Sequence, residues 1–219
     1  MATKMLTIDG ITFPDFGDDK SKKNFRPVFY MLYKGKDKKM KTTIVAKPAE
    51  GAWQWRKADK KFFLSGTDIG DSVELDTSAL RFDDPTSGFT STDHQIAEID
   101  GKLSSIAVQF VDVGDSSFGS FFGKNIMPQL VGVWKTTGFN PIDLLPVPGI
   151  VTGIVKDNIK LDDLADKAAN FLANSDGDKV LHRISKNYDG KGKKPFVISG
   201  TKEWKQGKTG TYAVTIGFE

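Results

Sequence analysis

"RPVFYMLYKGKDKKMKTTIVAK", residues 26–47, decides the fold. Its first part runs Val28, Phe29, Tyr30, Met31, Leu32, Tyr33 without a polar break. Aromatic and β-branched residues at that density suit a strand buried on both faces, or nearly so. "KMKTTIVAK" (39–47) is a second strand candidate, and "KGKDKK" (34–39) has the composition of the turn between them.

Further strands are predicted on either side. Upstream, "KMLTIDGITF" (4–13) alternates around an Asp9-Gly10 turn signal, and "PDFGDDKSKKN" (14–24) is a charged loop. Downstream, "AWQWRK" (52–57) and "KFFLSG" (61–66) are short strands, and "DSVELDTSALRF" (71–82) alternates again. "DDPTSGFTSTD" (83–93) is a loop by composition. Ser105 to Val113 is the clearest later strand. "FGSFFGKN" (118–125) reads as a Gly-Phe loop or strand edge, and "PQLVGVWKTTG" (128–138) as one more strand.

The period then changes. "LDDLADKAANFL" (161–172) places Leu161, Leu164, Ala165, Ala168 and Leu172 at helical spacing, with Asp162 and Asp163 where negative charge suits the helix dipole. "DGDKVLHRISKNYDG" (176–190) predicts a second, shorter helix on Val180, Leu181 and Ile184, stopped by Gly190. Strands return with "KPFVISGTKEW" (194–204) and "GTYAVTIGFE" (210–219), joined by the "KQGKTG" turn. The expected architecture is mainly β: one antiparallel β-sandwich domain over 1–219. An apolar connector and a helical insertion occupy about 140–190, before the last two strands. The expected core is Leu6, Ile8, Phe29, Met31, Ile44, Val73, Leu75, Ile106, Val108, Phe110, Leu164, Phe171, Val197, Val214 and Ile216.

Composition narrows the function classes. With 219 residues, 38% hydrophobic and 27% charged, the chain can bury a sizeable core. A net charge of +3 is too balanced to imply nucleic-acid binding. The absence of cysteine excludes disulfides, thiolate metal sites and cysteine nucleophiles. No run of 18 apolar residues marks a transmembrane helix, and "MATKMLTIDG" lacks a signal-peptide core. The expectation is a soluble cytoplasmic protein, with export by a signal-independent route left open.

The order of features in residues 1–130 resembles a C2 domain, a β-sandwich best known for docking on phospholipid membranes. "MLTIDGITF", the acidic loop "PDFGDDKSKKNF", the strand "RPVFYMLY", the lysine-rich hairpin and the Trp-bearing "GAWQW" follow the family's order. "SIAVQFVDVGDSSFGSFFG" is similar to its strand ending in an Asp-x-Asp loop. The resemblance implies calcium ligands at Asp15 and Asp112. However, Arg26 stands where an aspartate would precede Pro27, Gly114 replaces the next aspartate, and Asp115 is out of step. Ca²⁺ takes six to eight oxygens, so the implied calcium site is absent or much altered.

Catalytic and metal candidates fail one by one. His94 beside Asp93 and Ser91 would need a positioned nucleophile and an oxyanion hole, and no G-x-S-x-G surrounds any serine, so it reads as an exposed loop histidine. His182 sits among apolar residues, as a packing residue does. Two distant histidines without cysteine do not make a zinc site. "NSDGDKVLHRIS" (174–185) starts like an EF-hand loop, but Lys179 holds the glycine place and Ser185 the glutamate place. Asp176 and Asp178 are then expected in a turn between helices. The carboxylate pairs Asp18-Asp19, Asp83-Asp84 and Asp162-Asp163 point apart in sequence. No phosphate-binding loop is present. No cofactor is expected.

Two surfaces remain. Lys34, Lys36, Lys38, Lys39 and Lys41 lie within eight residues, beside Tyr30 and Tyr33, and could hold an anionic surface. Alternatively they form a solvated turn or guard an edge strand. "FNPIDLLPVPGIVTGIV" (139–155) is the least polar stretch; Pro141, Pro146 and Pro148 stiffen its first half into an extended connector. Leu144, Leu145, Ile150 and Ile154 either cover the core or form an apolar contact tip. The leading expectation is a non-enzymatic binding or assembly module. Its partner would be a protein, a further copy of itself or an anionic membrane surface, with no nucleic acid. The alternatives are a membrane-active toxin that inserts 139–155, and an enzyme with an unrecognised site.

Overall fold

A computed structural model describes residues 4–12, 22–46, 52–56, 61–65, 73–75, 79–81, 95–112, 127–143, 150–156, 158–175, 179–187, 196–203 and 209–218. The elements are β1 (Lys4–Thr12), β2 (Lys22–Gly35), β3 (Met40–Ala46), β4 (Ala52–Arg56), β5 (Lys61–Ser65), β6 (Val73–Leu75), β7 (Ala79–Arg81), β8 (Gln95–Ile99) and β9 (Gly101–Asp112). There follow helix α1 (Met127–Lys135), β10 (Asn140–Asp143), β11 (Ile150–Ile154), helix α2 (Leu161–Ser175), β12 (Lys179–Asn187), β13 (Phe196–Glu203) and β14 (Thr209–Phe218). Among the described residues the protein is mainly β, in two antiparallel sheets.

The long β2 organises the larger sheet. β3 pairs with it over Val28–Lys34 and β4 over Lys22–Phe25, while β9 pairs along the other side over Phe25–Gly35. β11 and β10 extend the sheet beyond β3, and β12 extends it beyond β9. The smaller sheet is built on β1, which takes β14 on one side and β7 and β8 on the other. β8 runs into β9 through Asp100 alone, so the chain changes sheets there without a loop. Gly101 permits the crossing. A Cβ at that position would collide with the Lys34 carbonyl.

Both faces of β2 are buried, as the unbroken apolar run requires. One face carries Val28 and Tyr30, with Ile44, Ala107, Val111 and Val151 beside them in register, and packs under the two helices. Trp134 and Phe139 from the α1 side, and Leu161, Leu164, Ala165 and Ala168 from α2, complete that core. The opposite face carries Phe29, Met31, Val45, Val108 and Phe110, all fully buried. β8 of the smaller sheet lies against β2 and β3.

Buried polar bonds tie the helical layer to the sheet. Tyr30 Oη donates to Gln109 Oε1 at 2.8 Å, and Gln109 Nε2 donates to the Ala165 carbonyl at 3.0 Å. Trp134 Nε1 donates to the Leu164 carbonyl at 2.8 Å. The small side chains of Ala165 and Ala168 let α2 approach closely enough for these contacts.

Three expectations need correction. Residues 127–135 form a helix, not a strand. Leu130, Val131 and Trp134 share one buried stripe. Gly138, at φ +89°, ends the helix as a residue free of a Cβ can. Residues 179–187 form a strand, not a second helix, because β9 offers a ladder from Lys179↔Asp112 to Asn187↔Ser105, interrupted only by a register shift between Val180 and His182. The insertion at 140–190 is therefore not helical throughout: among its described residues it contributes β10, β11 and β12 to the sheet and only α2 to the helical layer. Of the expected core, Leu6, Phe29, Met31, Ile44, Ile106, Val108, Phe110 and Leu164 are buried, and Phe171 is partly so. The side chains of Ile8, Val73, Leu75, Val197, Val214 and Ile216 lie outside the described set.

Candidate functional site

The β2–β3 turn is a three-residue loop, Lys36-Asp37-Lys38. Lys38 N–H donates to the Gly35 carbonyl at 3.0 Å and Gly35 N–H to the Lys39 carbonyl at 2.9 Å. Lys38 sits at φ +66°, the left-handed position such a turn requires. Asp37 Oδ1 accepts the Lys39 N–H at 3.1 Å, closing the turn from inside. The loop is also fixed from outside, since Lys36 N–H donates to the Asp100 carbonyl at 3.1 Å.

The five lysines predicted as one cluster divide into two kinds. Lys34, Lys36, Lys38 and Lys39 are exposed. Lys41 is not: its side chain is 12% exposed, and Nζ lies 2.9 Å from Asp100 Oδ2 and 3.4 Å from Asp37 Oδ2. The hydrogen bond to Asp100 raises its pKa against the opposing effect of desolvation, helped by the charges of both carboxylates. Asp37 is held below the ordinary carboxylate value: slight desolvation works the other way, but the Lys39 N–H and the Lys41 ammonium outweigh it. Beneath the loop, burial pushes the Tyr33 hydroxyl up, partly countered by its bond to Thr43 Oγ1 at 3.2 Å.

One contributor was invisible in the hairpin sequence. Lys102 stands directly opposite Lys34 in the β2–β9 ladder, and both are exposed. Opposed like charges cost stability in a sheet. Only the pairing of strands some 70 positions apart reveals the juxtaposition. The lysines do not guard an edge, because β11 pairs along β3 and β9 along β2.

The described parts of the apolar connector, Asn140–Asp143 and Ile150–Ile154, are built into the sheet. β11 pairs with β3 from Ile150↔Val45 to Ile154↔Lys41. Val151 and Val155 are buried in the core; Ile150 and Ile154 are half-buried, and Ile142 is exposed at 46%. Leu144 and Leu145 lie outside the described residues, as do Asp15, Asp115, His94, Asp176 and Asp178. Asp112 ends β9 opposite Phe25 and Lys179, and Arg26 is wholly buried on the helix-covered face. His182 lies in β12, opposite Phe110. Among the described residues no three His, Cys, Asp or Glu side chains gather as a metal site would need, and no helix is long and apolar enough to cross a membrane.

A cleft of about 330 Å³ opens on the helix-covered face, between the start of α2 and strands β2, β9 and β12. No protein-family model matches this chain, no curated protein matches it, and no solved structure matches it.

Proposed function

We propose that the protein is a non-enzymatic docking module whose β2–β3 hairpin engages an anionic surface. The observation that carries this reading is the fixed loop: Lys36, Lys38 and Lys39 are presented on a backbone locked by its own turn and by Asp100, with Lys34 and Lys102 behind them. Preorganised charge of this kind loses little conformational freedom on binding. Asp37, the carboxylate within the loop, is occupied by Lys41 and the Lys39 N–H. The C2 resemblance points the same way, towards an anionic membrane. The incorporation of β11 between β10 and β3 counts against insertion of 139–155, since that strand would have to leave the ladder.

Vesicle flotation tests the reading. Vesicles containing about a third anionic lipid should carry the protein and neutral vesicles should not. At roughly 1 kcal/mol per lysine near such a surface, joint replacement of Lys36, Lys38 and Lys39 by Gln should weaken binding by roughly a hundredfold. It should also flatten the salt dependence. Equal flotation on neutral vesicles would reject electrostatic docking. Failure to float at all, with salt-sensitive retention on an acidic protein column, would move the partner from lipid to protein.

A further inference from the structure

We infer that the cleft at the start of α2 binds a small organic anion with an apolar body, an aliphatic or aromatic monocarboxylate. Its volume, about 330 Å³, lies at the lower end of ligand sites. At roughly 30 Å³ per water-sized group, that admits about eleven non-hydrogen atoms. Leu32, Ile159 and Leu161 supply its apolar wall. Leu32 and Ile159 are only partly buried against the core, so an apolar ligand body gains by covering them.

The polar groups select the charge. Ser105 and Asn187 are among the lining residues, and a serine hydroxyl and an asparagine amide can both donate to a carboxylate. Lys160 stands exposed at the rim, whereas Asp162 is already engaged in an interaction of its own. Two residues beyond Leu32 on the same face, the opposed pair Lys34 and Lys102 adds positive field at that end of the sheet. An anionic head is therefore drawn to the Lys160 ammonium at the rim, with the Lys34–Lys102 pair adding to the field, while the apolar body covers Leu32 and Ile159. The loop residues Lys36, Lys38 and Lys39 take no part in the lining, so the inference stands apart from surface docking.

Titration calorimetry with sodium octanoate, at monomeric concentration, tests it. Octanoate should bind saturably with one site, and octylammonium chloride should not. Lys160→Glu reverses the rim charge at an exposed position and should weaken binding at least tenfold. Ser105→Phe fills the cleft and should abolish binding; if that variant fails to fold, Lys160→Glu still decides. The Lys36, Lys38 and Lys39 triple Gln variant should bind octanoate as the unaltered protein does, which separates the cleft from the docking surface. The inference is overturned by no saturable octanoate binding, by equal binding of octylammonium, or by undiminished binding in either folded cleft variant.

Discussion

Thr42 and Lys38 are the two residues whose local cost the fold carries most visibly. Thr42 is wholly buried on the helix-covered face, and its hydroxyl finds no hydrogen-bond partner among the described residues. Thr42→Val keeps the shape and removes the orphan group, so it should raise stability by about 1 kcal/mol in urea unfolding. Lys38 holds a left-handed backbone that glycine adopts freely. Lys38→Gly should stabilise by about 0.5–1 kcal/mol, after the greater chain entropy of glycine is set against the relief of strain. The Asp37–Lys41–Asp100 clip gives a pH window. Asp37 is depressed below 3.8, so its contribution is present above that value and lost as pH falls through the folded value. Lys41 is raised above 10.5, so its contribution is present below that value and lost as pH rises through the folded value. Amide NMR shifts of residues 35–41 should therefore hold steady from about pH 5 to 9 and move only outside that range.

At the scale of elements, the β10–β11 pair and the helices are held by close approach rather than by propensity. Gly153 receives the Phe139 ring on its bare Cα; an added Cβ would collide with the ring and come within 2.7 Å of the Asn140 carbonyl oxygen. Both neighbours are constrained, Phe139 by its edge contact with Trp134 and Asn140 by the ladder. Gly153→Ala should thus cost about 1–3 kcal/mol, read as a lower unfolding midpoint. The same region shows why the sequence pattern alone predicts a strand where α1 forms. "LVGVW" is too short for period alone to separate helix from strand. The end signals were present, however: Pro128 in the first turn and Gly138 after the last. "KVLHRISKN" is the converse case, where an apolar pattern compatible with a helix was drawn into a ladder by the free edge of β9.

For the whole molecule, the consequential pairing is between the ends of the described chain. β1 lies between β14 on one side and β7 with β8 on the other, so the smaller sheet depends on strands from both ends. Removing residues 196–219 would strip β13 and β14 and leave β1 unpaired along that side. The shortened chain should lose its cooperative thermal transition by circular dichroism, whereas a merely peripheral hairpin could be removed with little change. β14 had been expected to rejoin a sheet on its alternating pattern, but nothing local named β1 as its neighbour.

What the sequence determined by itself was element type wherever composition and period agreed over enough residues: β2 from its unbroken apolar run, α2 from its 3.6-residue spacing, and the mainly β class. The exposed turn lysines could be named there too, since a short polar loop between two strands has nowhere else to go. Only the tertiary structure decided which lysine was spent internally, because Lys41 meets Asp100 across 59 positions. It alone set Lys102 opposite Lys34, placed Asn140–Asp143 and Ile150–Ile154 as paired strands of the larger sheet, and opened a cleft where α2 begins. The physical reason is common to all of these. Local pattern fixes which way a side chain points from its own strand or helix, whereas charge pairing, strand neighbours and cavities arise between segments whose register the chain sets only on folding.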